Sequence, residues 1–332
     1  MTTLSIGKIR GLQQVANAGG TFTVLAMDHR GSFKQMVNPK NADAVSYQET
    51  VDRKMEMCAA LSPYASAVLL DPIFGAAQCI QGGALPGGKG LLVSIEESGY
   101  EGGKDARVTR LLPNWNVEKI QRMGASAVKI LVYFRPELKD LAKSQLKIVA
   151  EVAADCQKHD IPLFVEPVGY AIGSEVGNPA EFAKNKEAVV IETAKLMTAM
   201  PIDVLKAEFP ADMKFNKDTA KLKKLCQELD KASRVPWVLL SAGVDIDTFC
   251  TQVEIACEAG ASGFLGGRAI WQEVMPMTDA AQRLKFYNST VAGRFQRLND
   301  IVNAKGKPWY KKYAPSTKNL VETSEDWFQR YK

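Results

Sequence analysis

Two lysines and two acidic residues stand within or at the end of apolar runs, where an unpaired charge is costly to bury. They are Asp28 in LAMDHRG, Lys129 in AVKILVYF, Glu166 in LFVEPVGY and Lys206 in DVLKAEFP. A lysine attacks a carbonyl carbon only as the neutral amine, which burial or a second ammonium nearby favours. A carboxylate beside it can carry protons to and from the carbinolamine and the substrate hydroxyl. The set predicts carbonyl chemistry, with Lys206 as the nucleophile and Glu166 as the acid/base.

Three further acidic residues lie close to these runs. Glu208 is two residues beyond Lys206 and shares its strand face, so it is a further acid/base group or an ion-pair partner of Lys129 or Lys206. Asp71 and Glu96 also end apolar runs, and we interpret both as ordinary cap or loop carboxylates.

Small residues and one arginine end the last two apolar runs. These residues are Ser241, Gly243, Gly266, Gly267 and Arg268. Glycine lets the backbone approach an anion closely, and a guanidinium adds a bidentate, charge-assisted contact. In two adjacent loops the set predicts a phosphate site, so we expect the carbonyl substrate to be phosphorylated.

The apolar runs alternate with amphipathic stretches along the chain. The runs are 21–28, 67–72, 91–96, 127–134, 162–170, 203–210, 236–243 and 263–271, and helical periodicity marks 138–159, 180–199, 219–232 and 246–259. Eight short runs of this kind, separated by helices, favour a closed (β/α)₈ TIM barrel of the α/β class. The first run leads into Met-Asp-His-Arg-Gly and not GxGxxG, which disfavours a doubly wound open sheet. Because the carboxyl ends of barrel strands share one face, we expect the charged residues to meet in one pocket.

We expect one barrel domain over residues 1–300, a C-terminal extension over residues 301–332 and a flexible loop at 81–90. The extension contains several large aromatic residues, which could dock on a neighbouring subunit or cover the barrel. They are Trp309, Tyr310, Tyr313 and Trp327.

Composition excludes several other classes of protein. No apolar run reaches the ~18–20 residues of a membrane-spanning helix, and the N-terminal segment lacks the apolar core of a signal peptide. Six cysteines without a CxxC pair indicate reduced core residues of a cytoplasmic protein. The net charge of +5 is spread along the chain, which disfavours a nucleic-acid partner. With only two histidines a zinc site is disfavoured, and we expect neither a metal nor another cofactor.

The chain resembles the tagatose-1,6-bisphosphate aldolase family, which includes the sulfofructose-phosphate aldolases. The resembling segments are LAMDHRG, LSPYASAVLLDP, AVKILVYF, LFVEPVGY, DVLKAEFP, WVLLSAGVD and ASGFLGGRAIW. The resemblance implies a metal-free class I aldolase that cleaves a ketose phosphate to dihydroxyacetone phosphate and an aldehyde. It also implies that Lys206 forms the Schiff base, Glu166 is the acid/base, and Asp28 and Lys129 line the pocket. The residues it assigns to the phosphate on carbon one are Ser241, Gly243, Gly267 and Arg268.

Some positions depart from the family pattern. The family usually reads Asp-Gln-Arg after the first strand, whereas His29 stands in the middle position here and could contact substrate or be a plain loop residue. The FRP segment at 134–136 looks closer to the sulfosugar branch, and Pro308-Trp309 looks closer to the tagatose branch. The anion at the far end of the substrate, phosphate or sulfonate, therefore stays open, with Arg30 and Arg135 as its candidate ligands.

The expected reaction is cleavage of a ketose 1,6-bisphosphate of the tagatose type to dihydroxyacetone phosphate and glyceraldehyde 3-phosphate. A sulfofructose-1-phosphate aldolase, a transaldolase-like or deoxyribose-phosphate-type aldolase, and a sugar-phosphate-binding regulatory barrel without turnover are the alternatives. The expected partners are the phosphorylated ketose and further copies of the chain in a homo-oligomer.

Overall fold

Eight parallel strands pair in chain order, and the last strand pairs with the first, so the sheet closes into a barrel. The computed structural model describes residues 4–331. The strands are β1 (Phe22–Met27), β2 (Ala67–Leu70), β3 (Gly90–Ser94), β4 (Ala127–Tyr133), β5 (Leu163–Val168), β6 (Val204–Ala207), β7 (Trp237–Leu240) and β8 (Gly263–Gly266). Nearly every strand residue is buried, because helices cover the outer face and side chains fill the lumen. The predicted (β/α)₈ barrel is confirmed.

Thirteen α-helices lie in the described part of the chain. They are α1 (Ile6–Val15), α2 (Gly31–Val37), α3 (Tyr47–Leu61), α4 (Ala76–Gln81), α5 (Val117–Arg122), α6 (Lys139–Lys158), α7 (Pro179–Met197), α8 (Thr219–Ala232), α9 (Ile246–Ala259), α10 (Arg268–Trp271), α11 (Ala280–Phe286), α12 (Ala292–Lys305) and α13 (Trp327–Arg330). Helix α1 precedes β1 and packs against the amino ends of the strands, and most of the others form the outer layer. Side-chain caps fix the start of several: Asp218 accepts from backbone N–H groups of α8, and Asp245 does so for α9. The four helices predicted from periodicity form with at most a few residues of difference at their ends.

The eighth predicted run differs from the observed strand. The prediction continued it to Trp271, but β8 ends at Gly266 and the chain starts α10 at Arg268. Between them Gly267 has φ −127° and ψ −106°, which breaks the extended conformation. The indole N–H of Trp271 then donates to the carbonyl oxygen of Ala26 at 3.1 Å, which ties α10 to β1.

Part of the C-terminal extension packs under the amino ends of the strands, on the face opposite the strand carboxyl ends. Trp309 is buried in the same cluster as α1 and the lumen residues, and its backbone N–H donates to the carbonyl oxygen of Gly20. The hydroxyl of Tyr313 donates to the carbonyl oxygen of Asp203, just before β6, at 2.6 Å. Of the two predicted roles for the tail aromatics, Trp309 and Tyr313 therefore cover the barrel.

Two whole-chain expectations concern cysteines and membrane segments. All six cysteines are buried and free. Within residues 4–331 no helix combines the length and apolarity needed to cross a membrane.

Candidate active site

A cavity of about 420 Å³ opens at the carboxyl ends of the strands. The four charged residues predicted from the strands all line it: Asp28 after β1, Lys129 in β4, Glu166 in β5 and Lys206 in β6. The pairing of β4 with β5 and of β5 with β6 brings the last three side by side. The expected convergence in one pocket is therefore observed.

Lys129 is the centre of the cluster and is 1% exposed. Its Nζ atom lies 2.6 Å from Asp28 Oδ2, 2.8 Å from Glu96 Oε1 and 2.9 Å from Glu166 Oε2. Three carboxylates thus surround one ammonium, which donates hydrogen bonds to Asp28 and Glu96 and forms an ion pair with Glu166.

Glu166 bridges the two lysines. Its second oxygen, Oε1, lies 2.7 Å from the Nζ atom of Lys206. Lys206 is itself 4% exposed, so the contact is shielded from bulk water. A carboxylate in hydrogen-bond contact with a buried amine is placed to take up its proton and to return it.

Each charge of the cluster is stabilised by the opposite charges beside it. Burial opposes the charge of Lys129, but Asp28, Glu166 and Glu96 outweigh it and hold the pKa of Lys129 well above its ordinary value. Burial also opposes the ionised forms of Asp28 and Glu166, yet Lys129 and Lys206 hold the pKa of both carboxyls below the ordinary range. At neutral pH the cluster therefore contains a fixed ammonium at Lys129 and an ionised base at Glu166.

His29 also lines the cavity and is uncharged at neutral pH. Burial lowers the pKa of its imidazole to about 4, although Asp28 acts in the opposite direction. The ring packs edge-on against Trp271, with centroids 5.3 Å apart. Its buried Nδ1 atom has no hydrogen-bond partner among residues 4–331 and lies 3.9 Å from Asp28 Oδ1.

Arg30 supplies a buried guanidinium to the cavity wall. It is 7% exposed, and its Nη2 atom donates to the carbonyl oxygen of Glu96 at 2.6 Å. Its Nη1 atom is buried and has no hydrogen-bond partner in the described part of the chain. An unsatisfied guanidinium nitrogen facing a polar cavity is suited to an anionic ligand.

The loops after β7 and β8 supply Ser241, Gly267 and Arg268 to the cavity. The Gly267 N–H donates to the Ser241 hydroxyl at 3.3 Å, which ties the two loops together. Gly243 does not line the cavity, but at φ 73° it packs so close to the Arg268 guanidinium that a Cβ would stand 3.4 Å from Cζ. It therefore supports the arginine.

Two of the predicted binding residues, Gly266 and Arg135, lie outside the cavity lining. A Cβ on Gly266 would stand 2.6 Å from Ile270 Cδ1, so this glycine serves core packing and does not line the cavity. Arg135 also lies outside the lining: its Nη1 donates to Glu175 at 2.6 Å and its Nη2 to Glu137 at 3.0 Å. Two carboxylates already bind its guanidinium, and the contact of Arg135 with the substrate anion stays a prediction.

Three acidic residues also differ from the interpretation of their sequence. Glu96 is a buried ion-pair partner of Lys129 and not an ordinary loop carboxylate. Its position at the end of an apolar run, like that of Asp28, could have indicated this role. Asp71 does cap the loop after β2, where its Oδ1 accepts from the Ile73 and Phe74 N–H groups, but it is also fully buried against Lys54. Glu208 lines the cavity, but its Oε1 lies 3.3 Å from Lys186 Nζ and its Oε2 accepts from the Gly169 N–H at 2.8 Å. Its partner is thus Lys186, and neither Lys129 nor Lys206.

Across residues 4–331 no group of three or more His, Cys, Asp or Glu side chains is placed to hold a metal ion. The cavity instead presents lysine, carboxylate and arginine side chains.

A (β/α)₈ barrel with a lysine–carboxylate cluster at its carboxyl-end cavity is the architecture of an aldolase-type enzyme. The family model for DeoC/LacD family aldolases matches residues 22–273, and the chain belongs to that family.

Named relatives align over almost the whole chain. Tagatose 1,6-diphosphate aldolase 2 of Enterococcus faecalis is 31% identical over 340 residues, with 94% of this chain and 98% of the relative covered. The tagatose 1,6-diphosphate aldolase of Listeria monocytogenes is 30% identical over 331 residues, with 94% and 96% covered. The protein is therefore a carbon–carbon lyase of the aldolase type.

Solved structures give the same fold. Fructose-bisphosphate aldolase of Plasmodium falciparum matches with a TM-score of 0.69 at 16% identity, covering 92% of this chain and 97% of that one. An archaeal fructose-1,6-bisphosphate aldolase, with its catalytic lysine bound to the carbinolamine intermediate, matches with a TM-score of 0.55 at 22% identity, covering 89% and 98%. At these identities the likeness establishes the barrel alone.

Proposed function

We propose that the protein is a class I aldolase that reversibly cleaves a ketose 1,6-bisphosphate of the tagatose type through a Schiff base on Lys206. The products are dihydroxyacetone phosphate and glyceraldehyde 3-phosphate. The observation that carries the proposal is the contact of one buried carboxylate, Glu166, with Lys206 at 2.7 Å and with Lys129 at 2.9 Å. The named relatives support the tagatose bisphosphate as substrate.

The first half of the reaction follows from this contact. Glu166 accepts a proton from the Lys206 ammonium, and the neutral amine attacks the ketone carbon of the substrate. Glu166 returns the proton so that the carbinolamine loses water and the iminium forms. Lys129 keeps its proton throughout, because three carboxylates surround it, and its positive charge stabilises negative charge that develops on substrate oxygens.

The second half breaks the bond between carbons three and four. A carboxylate removes the proton of the hydroxyl on carbon four, the aldehyde leaves, and the bonding electrons move to the iminium nitrogen as the enamine forms. Protonation at carbon three and hydrolysis release dihydroxyacetone phosphate and free Lys206. Two carboxylates are available for this step. Glu166 contacts Lys206, and Asp28 lies on the other side of Lys129 from Glu166.

The two anionic ends of the substrate have separate ligands in this proposal. Arg268, with Ser241 and Gly267 beside it in the cavity wall, binds the phosphate on carbon one. Arg30, whose Nη1 atom has no partner among the described residues, binds the far anion. A bisphosphate places one anion on each guanidinium.

The test is borohydride reduction in the presence of dihydroxyacetone phosphate, followed by peptide mass mapping. We expect a reduced adduct on Lys206 in the native protein and none in Lys206→Met. An adduct on Lys129 would reassign the nucleophile. Cleavage that resists EDTA without any adduct, or no cleavage and no adduct, would contradict the mechanism.

A second measurement identifies the aldehyde half. The enzyme is supplied with dihydroxyacetone phosphate and either glyceraldehyde 3-phosphate or sulfolactaldehyde, and the condensation product is followed. Preference for glyceraldehyde 3-phosphate supports the proposal, and preference for sulfolactaldehyde would overturn the bisphosphate assignment while leaving the aldolase class intact.

A further inference from the structure

A lysine outside the cavity lining contacts the backbone on both sides of Asp28. Lys54 lies in α3, is fully buried, and donates through Nζ to the carbonyl oxygens of Met27 and His29, each at 2.7 Å. The carboxylate of Asp71 is its third acceptor. An ammonium has three N–H bonds, and here each one has an acceptor.

Asp71 fixes the other end of this contact. Its Oδ1 atom accepts from the backbone N–H groups of Ile73 at 2.9 Å and Phe74 at 2.8 Å, in the loop that follows β2. The pairing of β1 with β2 runs as far as Met27 and Leu70. Lys54 and Asp71 therefore continue the connection between the two strands at the residues immediately beyond it.

Burying two charges with no exposure is costly, and such pairs are often no more stabilising than apolar residues of the same size. A contribution to stability alone therefore does not explain why this buried ion pair is found here. What the pair adds is geometric, because the two carbonyl oxygens that bind Lys54 belong to the residues before and after Asp28. The side chain of Asp28 lies between them along the chain and contacts Lys129 at 2.6 Å.

We propose that Lys54 is a positioning residue that, together with Asp71, holds the end of β1 so that Asp28 stays in contact with Lys129. The expected effect of Lys54 on the reaction rests on the proposed function. Its expected effect on the position of Asp28 does not.

The chain offers a matched control at the opposite end of the barrel. Lys8 of α1 is also buried, and its Nζ lies 2.8 Å from Oδ2 of the buried Asp203, just before β6. Lys8→Met removes a buried lysine from an ion pair, as Lys54→Met does, but far from the cavity. If Lys54→Met does not fold, the double variant Lys54→Met/Asp71→Asn is used in its place. It also removes the charge of the carboxylate that has lost its lysine.

The experiment compares crystal structures, melting temperatures and steady-state kinetics of the native protein, Lys54→Met and Lys8→Met. We expect the Asp28–Lys129 contact to be lost in Lys54→Met while the Glu166–Lys206 contact remains. We expect kcat to fall about 100-fold, because a displacement of ~1 Å in a catalytic group has an effect of that order. KM should change by less than about threefold, and Lys8→Met should keep native kcat.

Two results would overturn the inference. One is a Lys54→Met structure that retains the Asp28–Lys129 contact, and the other is a loss of melting temperature without a loss of kcat beyond that of Lys8→Met. A native protein that cleaves no ketose phosphate would refute the proposed function alone, since the crystal structures still decide whether Lys54 positions Asp28.

Discussion

The Oε1 atom of Glu166 lies 2.7 Å from the Nζ atom of Lys206 inside a barrel that excludes most water from the contact. The same carboxylate binds Lys129 through its other oxygen. Glu166 thus contacts both Lys206, the amine that must lose its proton, and Lys129, the ammonium that keeps its proton. Substitutions of the two lysines should consequently have different effects.

Lys206→Met should abolish cleavage while leaving the protein folded. Methionine keeps most of the side-chain volume but has no nitrogen to form the Schiff base. Because Glu166 still pairs with Lys129, the loss of Lys206 does not strand a carboxylate. The measurement is cleavage rate together with circular dichroism and melting temperature, and turnover that survives in a folded variant would exclude Lys206 as the nucleophile.

Lys129→Met should destabilise the fold, and more so at neutral pH than in acid. The pKa values of Asp28 and Glu166 lie below their ordinary values in the native protein, so these groups stabilise it above pH ~4 and cease to do so as the pH falls. Removal of the shared cation takes that stabilisation away, about 3–5 kcal/mol for a broken buried pair. Below pH ~4 the unfolded chain binds protons that the folded native protein does not, so the native protein loses this stabilisation and the difference from Lys129→Met shrinks.

Denaturant unfolding of Lys129→Met and native protein at pH 7.5 and at about pH 3, below the ordinary pKa of a carboxyl, measures this difference. Lys8→Met is again the control, since it breaks one ion pair and leaves the three carboxylates of the cluster untouched. An equal loss of unfolding free energy at both pH values would contradict the account of the cluster.

Arg268→Ala and Arg135→Ala should separate substrate binding from stability. Arg268 lines the cavity, so its loss should raise KM for the phosphorylated substrate at least tenfold with little change in kcat. Arg135 is buried against Glu175 and Glu137, so Arg135→Ala should cost about 3 kcal/mol of unfolding free energy and leave KM unchanged. A fall in kcat at constant KM for Arg268→Ala would place that residue in the transition state.

Much of this arrangement could be predicted from the sequence because strand residues in a barrel have few alternatives. Lys129, Glu166 and Lys206 stand in apolar runs, and parallel pairing in chain order forces neighbouring strands to share a pocket. The register of the runs fixes which side chains face the lumen. The fold and the convergence of the cluster followed from these constraints.

The residues whose roles could not be predicted lie where the strands end. Glu96 and Asp71 occupy equivalent places after apolar runs, yet one binds Lys129 and the other binds Lys54. The sequence pattern does not distinguish the two, because Lys129 comes from a strand 33 residues after Glu96 and Lys54 from a helix 17 residues before Asp71. Arg135 illustrates the same limit, since its acceptor Glu175 lies 40 residues away in a short 3₁₀ helix, Gly173–Glu175.

His29 should make the stability of the protein depend on pH between about 4 and 6.5. Burial lowers the pKa of its imidazole from 6.5 to about 4, so in this window the unfolded chain binds a proton that the folded protein does not. The neutral imidazole therefore contributes stability that is fully present above pH ~6.5 and is lost as the pH falls toward 4. At ~1.4 kcal/mol for each pKa unit, the loss is on the order of 3 kcal/mol.

In His29→Gln this contribution is absent, so its unfolding free energy should fall less than that of the native protein between pH 7 and pH 4.5. His159→Gln, which replaces the other histidine of the chain at the end of α6, controls for the removal of an imidazole. Direct titration of the His29 ring by NMR gives the same answer without unfolding. A midpoint near the ordinary value, or parallel pH profiles for His29→Gln and native protein, would show that His29 is hydrated and charged in the cavity.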